Sequence, residues 1–155
     1  MKVVLVEPEI PPNTGSIARL CAGMKIPLHL VEPLGFSLDD RYLKRAGLDY
    51  WPHVDLTVHP SWESFLAKHG HEPLWLTTKT SERPYTTVRY APDDVLVFGR
   101  ETVGLGPEIL DAFPDRRIGI PIVGKIRSYN LSNAVSIVLF EALRQTQPEL
   151  FLPPP

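Results

Sequence analysis

Short apolar runs recur along this chain, separated by longer stretches in which apolar residues return at helical spacing. Residues 2–7, beginning Lys2-Val3-Val4-Leu5-Val6, form a β-branched run that predicts a buried strand. Pro8, Pro11 and Pro12 are expected to forbid regular structure as far as Asn13, which then caps a helix over residues 14–24. Residues 28–32 predict a second strand closed by Pro33, and residues 39–46 a polar helix ending at Gly47. Residues 56–59 predict a third strand. Ser61 caps a helix over residues 62–69 that stops at Gly70, and residues 74–78 predict a fourth strand. Residues 79–92 are polar and irregular. Residues 94–98 predict a fifth strand, followed by a glycine-rich loop and a short helix over residues 107–112, with Pro107 suited to a first turn. Residues 117–120 predict a short sixth strand. A polar loop, residues 124–130, then runs into a final helix apolar nearly all round, with Leu131, Val135, Val138, Leu139 and Leu143 among its residues, capped by Ser128 or Asn130.

Repeated strand–helix alternation predicts an α/β fold: a mainly parallel sheet of about six strands with helices on both faces. At 155 residues the chain fits one domain, over residues 1–150, followed by a loose Pro-rich tail over residues 151–155. Its 43% hydrophobic and 22% charged content exclude a disordered chain. A net charge of −2 argues against a nonspecific nucleic-acid coat protein but leaves room for a local basic patch. No apolar run reaches the length of a membrane span, and the first residues lack the features of a secretory signal, so a cytoplasmic protein with no membrane partner is expected. Cys21, the single cysteine, lies on an apolar helical stripe with Ile17 and Met24 and reads as a buried small hydrophobe. The five histidines lack any recognised metal spacing, and no metal is expected.

In open parallel sheets, ligands bind beyond the carboxyl ends of the strands. That rule singles out three loops: residues 8–19, 99–106 and 121–133. The first opens a helix, where backbone N–H groups attract an anion, but it carries neither a P-loop nor a dinucleotide fingerprint. Arg19 faces away from the helix's apolar stripe, among Gly15, Ser16 and Gly23, where a phosphate or a partner chain can approach closely. The second loop has three glycines and Glu101, an acceptor for loop amides or a ligand. The third has Ser128 and Asn130 with two cations, Lys125 and Arg127. Other cations group at Arg41, Lys44 and Arg45, at Lys79 and Arg83, and at Arg116 and Arg117.

These residues resemble the motifs of the SPOUT methyltransferases, S-adenosylmethionine-dependent RNA methylases with a knotted α/β fold. Within them the chain is similar to the small TrmL-type (YibK-type) tRNA 2′-O-methyltransferases. Glu7-Pro8-Glu9-Ile10-Pro11-Pro12-Asn13-Thr14-Gly15 with Arg19-Leu20-Cys21-Ala22 matches the first motif. Phe98-Gly99 with Glu101-Thr102 and Gly104-Leu105 matches the second, and Ile120-Pro121 with Arg127-Ser128 and Asn130-Leu131-Ser132-Asn133-Ala134-Val135-Ser136 the third. Arg45-Ala46-Gly47-Leu48-Asp49-Tyr50 and Leu76-Thr77-Thr78-Lys79 also fit, so the match spans about residues 3–146.

The resemblance implies a deep C-terminal trefoil knot, an antiparallel homodimer and 2′-O-methylation of the wobble cytidine or uridine in a tRNA anticodon loop. The cofactor would be S-adenosylmethionine, leaving S-adenosylhomocysteine. Carried over residue by residue, Leu76, Gly99, Glu101, Ile120, Ser128 and Leu131 form the cofactor pocket. Arg19, Asn13 and Asn130 serve catalysis, and Arg19, Arg127 and Lys79 contact RNA. A guanidinium stays protonated at neutral pH, so Arg19 is expected to hold the phosphate beside the reacting ribose rather than act as a base. Three rivals stand beside this reading: a non-catalytic RNA- or cofactor-binding module, a flavodoxin-like or nucleotide-binding domain of ordinary topology, and the same chemistry at another tRNA or rRNA site.

Overall fold

The computed structural model describes residues 1–38 and 50–153. Six parallel strands form one sheet in the order β3-β2-β1-β5-β4-β6. They are β1 (Lys2–Val6), β2 (Leu28–Val31), β3 (Leu56–His59), β4 (Leu74–Thr77), β5 (Val95–Phe98) and β6 (Arg117–Ile118). The aliphatic runs of β1, β2 and β5 are almost wholly buried, because both faces of a parallel sheet are covered. Helices α1 (Pro11–Met24) and α4 (Leu131–Thr146) cover one face, where Ile17, Ala18, Cys21, Val135, Val138 and Leu139 pack on Val3, Leu5, Leu30, Leu96 and Phe98. Helices α2 (Trp62–His69) and α3 (Pro107–Ala112) cover the other, where Phe65 and Ile109 pack with Val4, Val6, Val31, Leu76 and Val97. Period-two alternation along β1 and β5 feeds both layers from the same strands.

The local signals act where expected. The Ser61 hydroxyl accepts from the Ser64 N–H at 3.2 Å and starts α2, which gives way to Gly70. Pro107 opens α3. Asn130, rather than Ser128, caps α4: its Oδ1 accepts from the Ser132 N–H at 2.9 Å and from the Ser132 hydroxyl at 2.6 Å. Cys21 is fully buried, and burial pushes its thiol pKa up to about 12.

Two expectations need correction. Helix α1 begins at Pro11, not beyond Asn13. The first helical N–H groups have no intrahelical acceptor, so prolines in the first turn sacrifice no hydrogen bond there. Asn13 is thereby an interior residue of the first turn, and its side chain is released for other contacts. Strand β6 ends at Ile118 rather than at residue 120, because the Gly119 N–H donates to the Arg83 carbonyl (2.8 Å) and the Gly119 carbonyl accepts from Tyr85 N–H (2.9 Å). Helix α4 is packed on more than one side, with Leu131, Val135, Val138, Leu139, Ala142 and Leu143 buried, but Phe140 is 40% exposed, its ring edge-on to Phe151 at 6.1 Å between centroids. The polar helix expected over residues 39–46 and the motif residues 45–49 lie outside the described residues. Among the described residues, no helix is long and apolar enough to cross a membrane.

Candidate active site

The sheet order reverses between β1 and β5: the chain leaves β1 toward β2 on one side and leaves β5 toward β6 on the other. Such a switch point opens a crevice at the carboxyl ends of the two strands. The first loop leaves β1 there and the second leaves β5. The third follows β6, beyond β4, so all three loops meet at one sheet edge.

Between them lies a cavity of about 420 Å³, within the usual size range for a small-molecule site. Its wall includes Ile10 and Asn13 from the first loop and helix, Gly99 to Leu105 from the second loop, and Ile120, Ile122 and residues 128–131 from the third. Thr77, Thr78, Lys79 and Thr80 close it from the end of β4.

A carboxylate braces these loops. Glu101 Oε2 accepts from the Glu9 N–H at 2.8 Å, and Oε1 accepts from the Ile10 N–H (3.2 Å) and Asn13 Nδ2 (3.1 Å). Glu9 replies: its Oε2 accepts from the Thr102 hydroxyl (2.7 Å) and N–H (3.1 Å). The first and second loops are thus joined by reciprocal carboxylate contacts. Asn130 Nδ2 donates to Asn13 Oδ1 at 2.9 Å, which carries the connection to the third loop and the start of α4. The release of Asn13 from capping is what allows this chain of bonds.

The second loop requires its glycines at two places. A Cβ on Gly99 would stand 2.2 Å from the Gly104 carbonyl carbon and the Leu105 nitrogen, and Gly104 has a φ of +77°. Arg100 and Gly104 exchange backbone hydrogen bonds across the turn. The Arg100 guanidinium is ion-paired with Glu7, whose left-handed backbone (φ +52°) ends β1.

Of the residues anticipated from sequence, Asn13, Lys79, Gly99, Glu101, Ile120, Ser128, Asn130 and Leu131 line the cavity. Leu76 is fully buried in β4, one residue before the lining Thr77. Arg127 is exposed on the third loop and does not line the cavity. Arg19 is outside the wall as well. It lies six residues beyond Asn13, about 9 Å along the helix, exposed, with its guanidinium carbon 5.6 Å from the Tyr50 ring centroid. The Tyr50 hydroxyl donates to the Gly15 carbonyl at 2.7 Å.

Arg117 donates to the Leu110 carbonyl and Asp111, Arg83 to the Asp115 carbonyl, and Arg116 sits 5.1 Å over the Trp75 ring. Arg41, Lys44 and Arg45 fall outside the described residues.

Sequence reasoning gave no role to Glu9, Thr102, Thr77 or Arg100. The pairing of Glu9 with Thr102 joins residues 93 positions apart and leaves no periodic trace. Thr77 is distinctive: the residue borders the cavity, and its hydroxyl oxygen is buried and has no hydrogen-bond partner among the described residues. A buried polar atom left open in a ligand-sized cavity is an unmet demand for a ligand or water.

A glycine-floored cavity at the switch point of a parallel sheet, without a phosphate loop, defines a small-molecule-binding α/β domain. The strand order rules out the ordinary flavodoxin arrangement, because β3 lies outside β2 and β5, not β3, pairs with β1. The chain belongs to the SpoU rRNA Methylase family, whose model matches residues 1–140. The resemblance to SPOUT RNA methyltransferases is therefore borne out. The chain is 51% identical over 145 residues to the tRNA (cytidine(34)-2′-O)-methyltransferase of Methylovorus glucosotrophus, covering 92% of this chain and 94% of the relative. It is 48% identical over 146 residues to the protein of the same name from Escherichia coli K12, covering 94% and 93%. A solved structure concerned with 2-OH methylation of C/U34 on tRNA superposes with a TM-score of 0.88 at 44% identity, covering 93% of this chain and 94% of that one.

Proposed function

We propose that this chain uses S-adenosylmethionine to methylate the ribose 2′-hydroxyl of the wobble cytidine or uridine, nucleotide 34, in a tRNA anticodon loop. The observation that carries the reading is the convergence of the three motif loops on one cavity, braced by Glu101. Relatives near half identity over almost the whole chain bear names for this reaction. The cavity suits the cofactor on three counts. Its size is right, the absence of a Cβ at Gly99 lets the second loop fold tightly back on itself along the wall, and the unpaired Thr77 hydroxyl offers a polar contact.

When bound, the cofactor supplies a methyl group activated by a positively charged sulfur. The chain's own work is alignment and exclusion of water, and orientation in a bound pair supplies several kcal/mol, up to about 7–11 in well-oriented model reactions. The Glu101–Asn13–Asn130 chain fixes the loops so that backbone around Gly99, Ile120 and Leu131 faces one ligand. Arg19, on the exposed face of α1, holds the phosphate next to the reacting ribose, with Lys79 in the cavity wall and Arg127 on the exposed third loop as further RNA contacts. Phosphate contacts of this kind give an affinity that falls with salt.

The same reading includes a trefoil knot and a homodimer. Residues 79–92 are pinned at one end to Gly119 and at the other to α4, where Gln145 accepts from the Tyr90 N–H and donates to the Val88 carbonyl. That arrangement supports a last helix tucked behind this loop. The exposed ring of Phe140 and the exposed Arg19 face of α1 support a second copy packing there. Sedimentation of Phe140→Asp is expected to give a monomer where the parent chain gives a dimer.

The test is methyl transfer from labelled S-adenosylmethionine to tRNA transcripts, with the modified nucleotide mapped by nuclease digestion and mass spectrometry. Label at the 2′-oxygen of nucleotide 34 supports the proposal. Label at another tRNA position or only on rRNA moves the substrate, and cofactor or RNA binding without transfer supports the non-catalytic rival.

A further inference from the structure

On the sheet face opposite α1 and α4, far along the sheet from the cavity, three histidines from three elements meet. His29 is on β2, His59 at the end of the edge strand β3, and His69 in the last turn of α2. One candidate ligand atom from each lies within 4.8 Å of the other two. His29 and His59 are 6% and 1% exposed. His29 Nδ1 and His59 Nε2 share a hydrogen bond of 2.8 Å. The other nitrogen of His59, Nδ1, is buried and has no partner among the described residues. Phe65 closes the back, with its ring 5.1–6.0 Å from all three imidazoles.

From this geometry we infer that His29, His59 and His69 form a structural site for a divalent transition metal of the zinc class, clamping α2 to β2 and β3. Three imidazoles suit zinc, copper or nickel rather than magnesium or calcium. Zinc–nitrogen bonds of about 2.0–2.1 Å in a tetrahedron hold ligand nitrogens about 3.4 Å apart. The candidate nitrogens, within 4.8 Å of one another, close to that value as the rings adjust. His69, with a side chain 20% exposed, has room to adjust, and the His29–His59 hydrogen bond gives way to metal bonds.

The surroundings support ligation. His69 Nδ1 lies 2.6 Å from the Glu72 carboxylate, the carboxylate–imidazole pairing that orients a metal-binding imidazole, and 3.3 Å from the Lys2 ammonium. Two cations oppose the site. The Lys2 ammonium is paired with Glu72 at 2.6 Å, and Lys68 is exposed to solvent. The sequence gave no hint because the ligands come from separate elements, at positions 29, 59 and 69, without a local metal spacing. None of the three lines the cavity, so the role is to hold the sheet edge.

The test uses tag-free full-length protein stripped with chelator and titrated with zinc chloride against a chromophoric chelator, with Co²⁺ absorption as a second readout. The expected result is one equivalent bound per chain and a tetrahedral Co²⁺ spectrum. Affinity should weaken at least about tenfold in His69→Ala and His59→Asn and stay unchanged in His71→Ala, an exposed histidine outside the cluster. Zinc should also raise the melting temperature of the parent chain and not that of His69→Ala. His69→Ala removes a partly exposed side chain and decides the matter even if His59→Asn fails to fold. No stoichiometric binding, or equal affinity in His69→Ala, overturns the site.

Discussion

Removing the Glu101 carboxylate is the sharpest perturbation of the loop brace. In Glu101→Ala, the Glu9 N–H, the Ile10 N–H and Asn13 Nδ2 lose their acceptor at once. Hydrogen bonds to a charged acceptor contribute about 1.5–3 kcal/mol each when shielded. The Ile10 bond is exposed, so water replaces it with little loss, and the other two are only partly buried. Discounted for that exposure, the brace is worth about 2–4 kcal/mol. In a domain of this length, each kcal/mol shifts the melting temperature by about 2–4 °C, so a fall of roughly 4–16 °C is expected. Local opening should rise with it. Hydrogen exchange at the Glu9 and Ile10 amides should accelerate by on the order of 30-fold or more, since 1.4 kcal/mol is a factor of ten. S-adenosylhomocysteine should bind more weakly by calorimetry, because Asn13 and Asn130 lose their anchored geometry. A melting temperature equal to that of the parent, with unchanged exchange at both amides, would refute the brace.

Three further outcomes are expected. Gly99→Ala forces a Cβ to 2.2 Å from the Gly104 and Leu105 backbone, so the loop must shift; overpacking of about 1–3 kcal/mol should lower the melting temperature and weaken S-adenosylhomocysteine binding at least tenfold, and unaltered affinity would contradict the close approach. Arg19→Lys keeps the charge but loses the planar fork; turnover should fall severely while calorimetry shows cofactor affinity retained, and full turnover would remove Arg19 from the reaction. Cys21, with its thiol pushed up to about 12 by burial, stays protonated and shielded across pH 7–9; a disulfide reagent should label it only in denaturant, and rapid labelling of the folded chain would show that the α1 stripe is open.

The strands were readable because a buried parallel strand is a short aliphatic run, and β1, β2 and β5 are such runs. Ser61, Gly70, Pro107 and Asn130 marked helix ends through local chemistry that acts within a few residues. Pro11 and Pro12 misled because proline breaks a helix interior yet suits a helix start, and only the position of the start separates the two cases. The insertion of β5 between β1 and β4 was not readable from the pattern, since strand order depends on pairings that leave no period. The same holds for the Glu101 brace, whose partners lie 88 to 92 residues away, and for the meeting of His29, His59 and His69. The site loops themselves were found by the rule that ligands bind at the carboxyl ends of strands, and their motifs added the chemistry.

A crystal structure with S-adenosylhomocysteine tests the central claim most directly. The account predicts the ligand between the three loops, against backbone at Gly99, Ile120 and Leu131, with the Thr77 hydroxyl in contact and the Glu101–Asn13–Asn130 bonds intact. A ligand bound elsewhere on the chain, or one whose entry breaks that brace apart, would contradict it.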